Sequence, residues 1–114
     1  MKNNKPEYQE LSLSSGRIVR MRPRTYREWE DQEESRLKAV EDMNAMADPD
    51  ARGLVMQRVS LSIRNARLDR WVENFAIEKE SLSLREVEEI ERIALDCEKE
   101  EIPLGNSETG SAGL

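Results

Sequence analysis

Residues 16–30 read Gly-Arg-Ile-Val-Arg-Met-Arg-Pro-Arg-Thr-Tyr-Arg-Glu-Trp-Glu. These fifteen residues hold a turn, a basic strand, a proline stop and a helix start. Ser14-Ser15-Gly16 is turn chemistry. From Arg17 to Arg22 the chain alternates: Ile18, with Met21 or Val19, faces one way, and arginines fill most other places. Pro23 has no N–H to give to a sheet ladder, so the strand ends there. Thr25 then caps a helix, and Glu28, three residues later, completes a capping box.

Upstream, Tyr8 to Leu13 alternates loosely, with Tyr8, Leu11 and Leu13 apolar. It pairs with Arg17–Arg22 as a β-hairpin over 8–23. An isolated hairpin is marginal in water, so it must lie on the helices or on another subunit. Residues 1–7 read as a disordered leader. Met-Lys-Asn-Asn-Lys-Pro is followed by no apolar run, so no signal peptide is expected.

Downstream, the spacing predicts three helices. The first runs from Tyr26 to Ala47, with Tyr26, Trp29, Leu37, Val40, Met43, Met46 and Ala47 apolar. Glu30 to Arg36 is polar throughout, either solvent-facing or a contact for a basic partner. Asp48-Pro49-Asp50 stops this helix. The second starts near Pro49 or Asp50 and ends near Phe75. Leu54, Leu61 and Leu68 recur every seven residues, beside a stripe of Val55, Val59, Ile63 and Ala66, and Trp71, Val72 and Phe75 close the run. Such a wide apolar face suits the central helix of a small bundle. Gly53 weakens its first turn by about 1 kcal/mol relative to alanine. Arg58, Arg64, Arg67 and Arg70 line the other side, with Asp69 the one acid among them. That side is a solvated or internally paired face, or a basic surface for an acidic partner.

Residues 78–82 read as a linker. Ser83 caps the third helix, with Glu86 completing a second capping box. Leu84, Val87, Ile90, Ile93, Ala94 and Cys97 form its stripe, the remainder is strongly acidic, and Pro103 ends it. Residues 104–114 read as a flexible tail. The expected fold is mainly α: a single domain over 8–103, with three helices and an N-terminal β-hairpin.

Composition narrows the function. Charged and hydrophobic residues each make up 37% of the 114, and aromatics 4%. That balance lies between a globular helical protein and a chain that orders against a partner. No stretch approaches the roughly 18 apolar residues of a spanning helix. With no histidine, a histidine base or metal ligand is excluded. The single cysteine, Cys97, forms no intrachain disulfide and sits on an apolar stripe as a structural thiol. The acid pairs Glu88 and Glu89, and Glu98, Glu100 and Glu101, lack the spacing of a cation loop and read as a solvated face. The scattered glycines form no phosphate loop. No constellation carries a reaction, so no enzyme, catalytic residue, metal or cofactor is expected.

Charge is uneven. Residues 1–24 hold six Lys/Arg and two Asp/Glu, a net +4, and the remainder 12 against 22, a net −10. The two parts attract each other within one molecule or between neighbours. Alternatively, the arginines protect a solvated edge strand from aggregation. Arg17, Arg20, Arg22 and Arg24 also suggest phosphate contacts from a β-ribbon. The acidic remainder and the absence of interleaved aromatics disfavour nucleic acid. Trp29 and Trp71 read as core or interface anchors, and the charge around Trp29 makes it the interface candidate.

Arg-Met-Arg-Pro-Arg-Thr-Tyr-Arg-Glu-Trp-Glu, residues 20–30, resembles the hydrophobic-Arg-Pro-x-Thr-x-x-Glu segment of tail assembly chaperones from long-tailed bacteriophages. Leu82-Ser83-Leu84-Arg85-Glu86-Val87-Glu88-Glu89-Ile90 resembles the final acidic helix of some members. The likeness spans the order of elements from about residue 9 to 102. It implies a non-enzymatic helper, in the host cell cytoplasm, that coats the long helical tape measure protein or another tail protein until the tube polymerises. The +4 and −10 split also suits head-to-tail stacking of subunits into a homo-oligomer. From the pattern, Trp29, Leu37, Val40 and Met43 are expected to contact the client, and Arg17, Arg20 and Arg22 to pair charges between subunits. Two rivals remain: a small nucleic-acid-binding regulator using the basic hairpin, and a permanent head–tail or tail accessory protein of the virion.

Overall fold

Gly16 permits the first turn. Its φ is +92°, a conformation that costs glycine little and other residues much. Gly16 N donates to the Leu13 carbonyl (2.9 Å) and Leu13 N to that of Arg17 (2.8 Å), closing a three-residue loop. The computed structural model of the chain, which describes residues 6–100, thus begins with the expected hairpin. β1 (Gln9–Ser12) and β2 (Ile18–Met21) are antiparallel, with Leu11 opposite Val19 and Glu10 opposite Arg20. The register sends Leu11, Leu13, Val19 and Met21 inward and leaves Ile18 exposed. Val19, not Ile18, therefore shares the inner face with Met21.

Four helices follow, so the described chain is mainly α with an N-terminal hairpin: α1 (Tyr26–Asn44), α2 (Pro49–Trp71), α3 (Phe75–Glu78) and α4 (Leu84–Glu100). α1 opens directly after Thr25 and stops three residues before the expected Ala47. Asp48 caps α2: its Oδ1 accepts from Asp50 N (3.0 Å), and its carbonyl from Arg52 N (2.9 Å). Pro49 fills the first helical position, where no N–H is needed. The Ser83 box forms in both directions, Ser83 N to Glu86 Oε1 (2.8 Å) and Glu86 N to Ser83 Oγ (3.1 Å).

α2 ends at Trp71, four residues before the expected Phe75. Val72 leaves the helix to bridge Met21 in antiparallel fashion, with Arg22 N donating to the Trp71 carbonyl (2.9 Å) and Glu73 N to that of Arg20 (2.8 Å). Asn74 then takes a left-handed conformation (φ 58°, ψ 37°), which asparagine tolerates better than most residues. One turn of helix, α3, overlaps the start of the expected linker. The expected end of α4 at Pro103 and the tail at 104–114 lie outside the described residues, as does most of the leader at 1–7.

The chain divides into two compact units, one joining the segment up to Thr25 with Leu68 onward, the other comprising Tyr26–Arg67. The first holds a dense core: Leu11, Leu13, Val19 and Met21 from the hairpin, Leu68, Trp71, Val72 and Phe75 from the middle, and Ile90, Ile93, Ala94 and Cys97 from α4.

Polar contacts close this core. The Glu98 carboxylate accepts from Trp71 Nε1 (2.7 Å), Arg24 Nη2 (2.7 Å) and Arg24 N (2.6 Å). The Arg24 guanidinium lies 5.0 Å from the Trp71 ring centroid. At the other end Glu89 accepts from Ser14 N and Oγ, and Glu86 from Ser15 Oγ. Three acids of α4 thereby hold the segments on either side of β2; the sequence suggested a solvated face for Glu89 and Glu98 and only a capping role for Glu86. Ser15, ahead of the Ser83 backbone, holds the Glu86 carboxyl below the usual carboxylate range.

Five variants test this fold in denaturant unfolding. Gly16→Ala should lose about 1 kcal/mol through backbone strain, and Gly53→Ala, with nothing within 4 Å of its new Cβ, should gain about that much. Glu98→Ala should lose about 3 kcal/mol, because Arg24 and Glu98 side chains are only 6% and 15% exposed, and Glu98→Gln, which keeps the Trp71 acceptor, should lose less. The lowered Glu86 carboxyl stabilises the fold above the ordinary carboxylate pKa, and that contribution disappears as pH falls through the lowered value. Glu86→Gln should flatten this acid limb of the stability profile.

Candidate interaction surface

The second unit, residues 26–67, is built differently. α1 and α2 run antiparallel across the Ala45–Asp48 connection, and Gln32 Nε2 near the start of α1 donates to the Ala66 carbonyl near the end of α2 (2.9 Å). Half-buried positions recur at helical spacing on both helices: Gln32, Arg36, Ala39 and Met43 on α1, and Arg52, Val55, Val59 and Ile63 on α2. Yet none of the buried apolar residues of the described chain falls between 26 and 67. The buried residue of α1 is Glu28.

Several of its large apolar side chains are instead exposed: Tyr26 (72%), Leu37 (53%), Leu54 (65%), Leu61 (58%) and Met56. Trp29 is 41% exposed and stacks obliquely on Tyr26, ring centroids 5.5 Å apart. These exposed side chains all belong to the second unit.

The expected contact residues fall into two groups. Trp29 and Leu37 are exposed on α1, with Val40 and Met43 half-buried beside them. Leu54 and Leu61 join them on the surface. Their spacing was visible in the sequence, but it suggested burial in a central bundle helix. Of the α2 residues only Leu68 and Trp71 are buried, and both join the core formed with the hairpin and α4.

Arg17, Arg20 and Arg22 belong to the other group. Arg17 Nη2 contacts Glu78 Oε1 (2.7 Å) and Ser81 Oγ (2.8 Å), and Arg20 Nε contacts Glu73 Oε1 (2.7 Å). Arg22 is buried, with its guanidinium over the Tyr8 ring and donating to the Pro23 carbonyl. All three, like Arg24, are held by groups of their own chain. The attraction between basic hairpin and acidic remainder thus operates within the molecule.

Among the described residues no cluster of Cys, Asp and Glu is arranged as a metal ligand set, and no helix is long and apolar enough to cross a membrane. Cys97 is buried, and burial, then the neighbouring Glu98 charge, pushes its thiol up, away from nucleophilic thiolate. In comparisons with protein-family models, curated proteins and solved structures, nothing matches this chain.

Proposed function

We propose that this chain is a non-enzymatic assembly chaperone that shelters an amphipathic helical client on the apolar surface of residues 26–67. The observation that carries this reading is the contrast between the two units. One buries twelve apolar side chains, and the other leaves a tryptophan, a tyrosine and three leucines at its surface. Covering one such leucine is worth about 1.5–3 kcal/mol, a strong incentive to bind another helix.

The client class follows from the likeness of residues 20–30 to phage tail assembly chaperones. It is the tape measure protein or another tail protein, met in the host cell cytoplasm. The nucleic-acid alternative draws no support from the hairpin, whose arginines are already engaged with carboxylates and rings. A permanent tail accessory would use the same surface and differ only in remaining with the finished particle.

A synthetic amphipathic helical peptide with leucines at heptad spacing serves as probe. Leu37→Ser and Trp29→Ala should each weaken its binding about tenfold or more, with helicity retained. Ile77→Ser, at a more exposed residue outside 26–67, should bind as the parent does. Unchanged binding in Leu37→Ser would remove the basis for the proposal.

A further inference from the structure

We infer that the client helix lies along α1, over Tyr26, Trp29, Leu37 and Val40, and carries basic side chains on one edge of its own apolar stripe. This rests on residues 26–67 being the client surface, and adds where on that surface the client lies and what charge it brings.

The four residues share one stripe. An α-helix turns once in about 3.6 residues, so residues eleven apart lie nearly in line. Tyr26 and Leu37 are eleven apart, and so are Trp29 and Val40. The two lines are neighbours, since Trp29 follows Tyr26 by three residues and their rings stack obliquely, centroids 5.5 Å apart. Tyr26, Trp29 and Leu37 are exposed and Val40 is half-buried. From Tyr26 to Val40 the stripe runs about 21 Å, roughly four turns. A second helix laid alongside meets it turn after turn, whereas an extended strand, with its period of two, does not.

Charge then describes the occupant. Along one edge of the stripe runs the half-buried row Gln32, Arg36, Ala39 and Met43, from which Gln32 reaches α2. Along the other edge lie Glu30, four residues after Tyr26, and Glu34 and Glu41, three before and four after Leu37. The described ion pairs of α1 are Arg27–Asp31, Glu33–Arg36 and Lys38–Asp42, and Glu30, Glu34 and Glu41 take part in none of the three. Glu34 and Glu41 are seven residues apart, about 10.5 Å, which matches basic side chains one heptad apart on a neighbouring helix. A basic edge on the client meets these carboxylates with attraction, and an acidic edge meets them with repulsion. The hairpin does not supply the counter-charge, because Arg17, Arg20 and Arg24 pair with Glu78, Glu73 and Glu98 and Arg22 is buried against Tyr8. It arrives with another chain.

Three synthetic helical peptides with the same leucine heptads, carrying lysine, glutamine or glutamate along one edge, test this by fluorescence anisotropy with the full chain at low salt. The lysine peptide should bind at least about tenfold more tightly than the glutamate peptide, with glutamine between them, and the difference should shrink as salt rises. Glu34→Lys with Glu41→Lys should reverse the order, a gain for the glutamate peptide that a folding defect would not produce. Glu80→Lys, an exposed charge change outside 26–67, should leave the order as in the parent. Equal affinity for all three peptides, an order that survives the double reversal, or a lysine-peptide affinity untouched by Leu37→Ser would each overturn the inference. So would sedimentation showing a homodimer that depends on Glu34 and Glu41 and shuts out the lysine peptide, since the stripe would then hold a second copy. The chaperone reading fails separately. Equal binding of all three peptides that Leu37→Ser abolishes overturns the basic edge alone, whereas binding of none overturns the client with it.

Discussion

The carboxylate of Glu98 holds the first unit closed. It reaches across 74 residues of sequence to the backbone and guanidinium of Arg24, and across 27 to the Trp71 indole. Three segments meet there: the exit from the hairpin, the last turn of α2 and the last turns of α4. A buried indole N–H and a nearly buried guanidinium are expensive to leave without acceptors, and one carboxylate serves both. With Glu86 and Glu89 holding the hairpin loop, a two-stranded sheet that would be marginal alone is packed on one side and tied at both ends.

That closure uses most of what the chain can bury. The hairpin offers four inward side chains and α4 four more, and together they cover the stretch from Leu68 to Phe75. Within residues 26–67, Gln32 makes a polar link from α1 to α2, and several valines and methionines are half-buried. Two helices cannot wrap a heptad stripe and its neighbour at once, so Leu54 and Leu61 stay wet while Leu68, on the same seven-residue repeat, is buried.

Much of this was legible in the sequence, and the misreadings share a cause. Ser14-Ser15-Gly16, Asp48-Pro49 and the Ser83–Glu86 box are local chemistry, and the turn and helix starts fall where those residues put them. The sequence reading put Ile18 on one face with Met21 or Val19, but residues an odd number apart on a strand face opposite ways, and the register set by the three-residue loop turns Val19 and Met21 inward. The end of α2 was misplaced because Val72 and Phe75 continue the helical spacing. Only the pairing with Met21, a contact across 51 positions, pulls Val72 out. The roles of Glu86, Glu89 and Glu98 were hidden for the same reason, since a charge run shows its partners only once distant segments meet. For α2, the pattern showed which residues are apolar but not what remained to cover them. No glycine or proline marks the step from Arg67 to Leu68, where the compact units divide.

Hydrogen–deuterium exchange, followed segment by segment with and without a helical client peptide, addresses the central claim most directly. Amides of the hairpin, the end of α2 and α4 should exchange slowly in both states, because they share one closed core. Amides of 26–67 should exchange fast in dilute solution and slow markedly once the chain is given a helical client. Equal protection of 26–67 and α4 in the dilute chain alone would contradict the account.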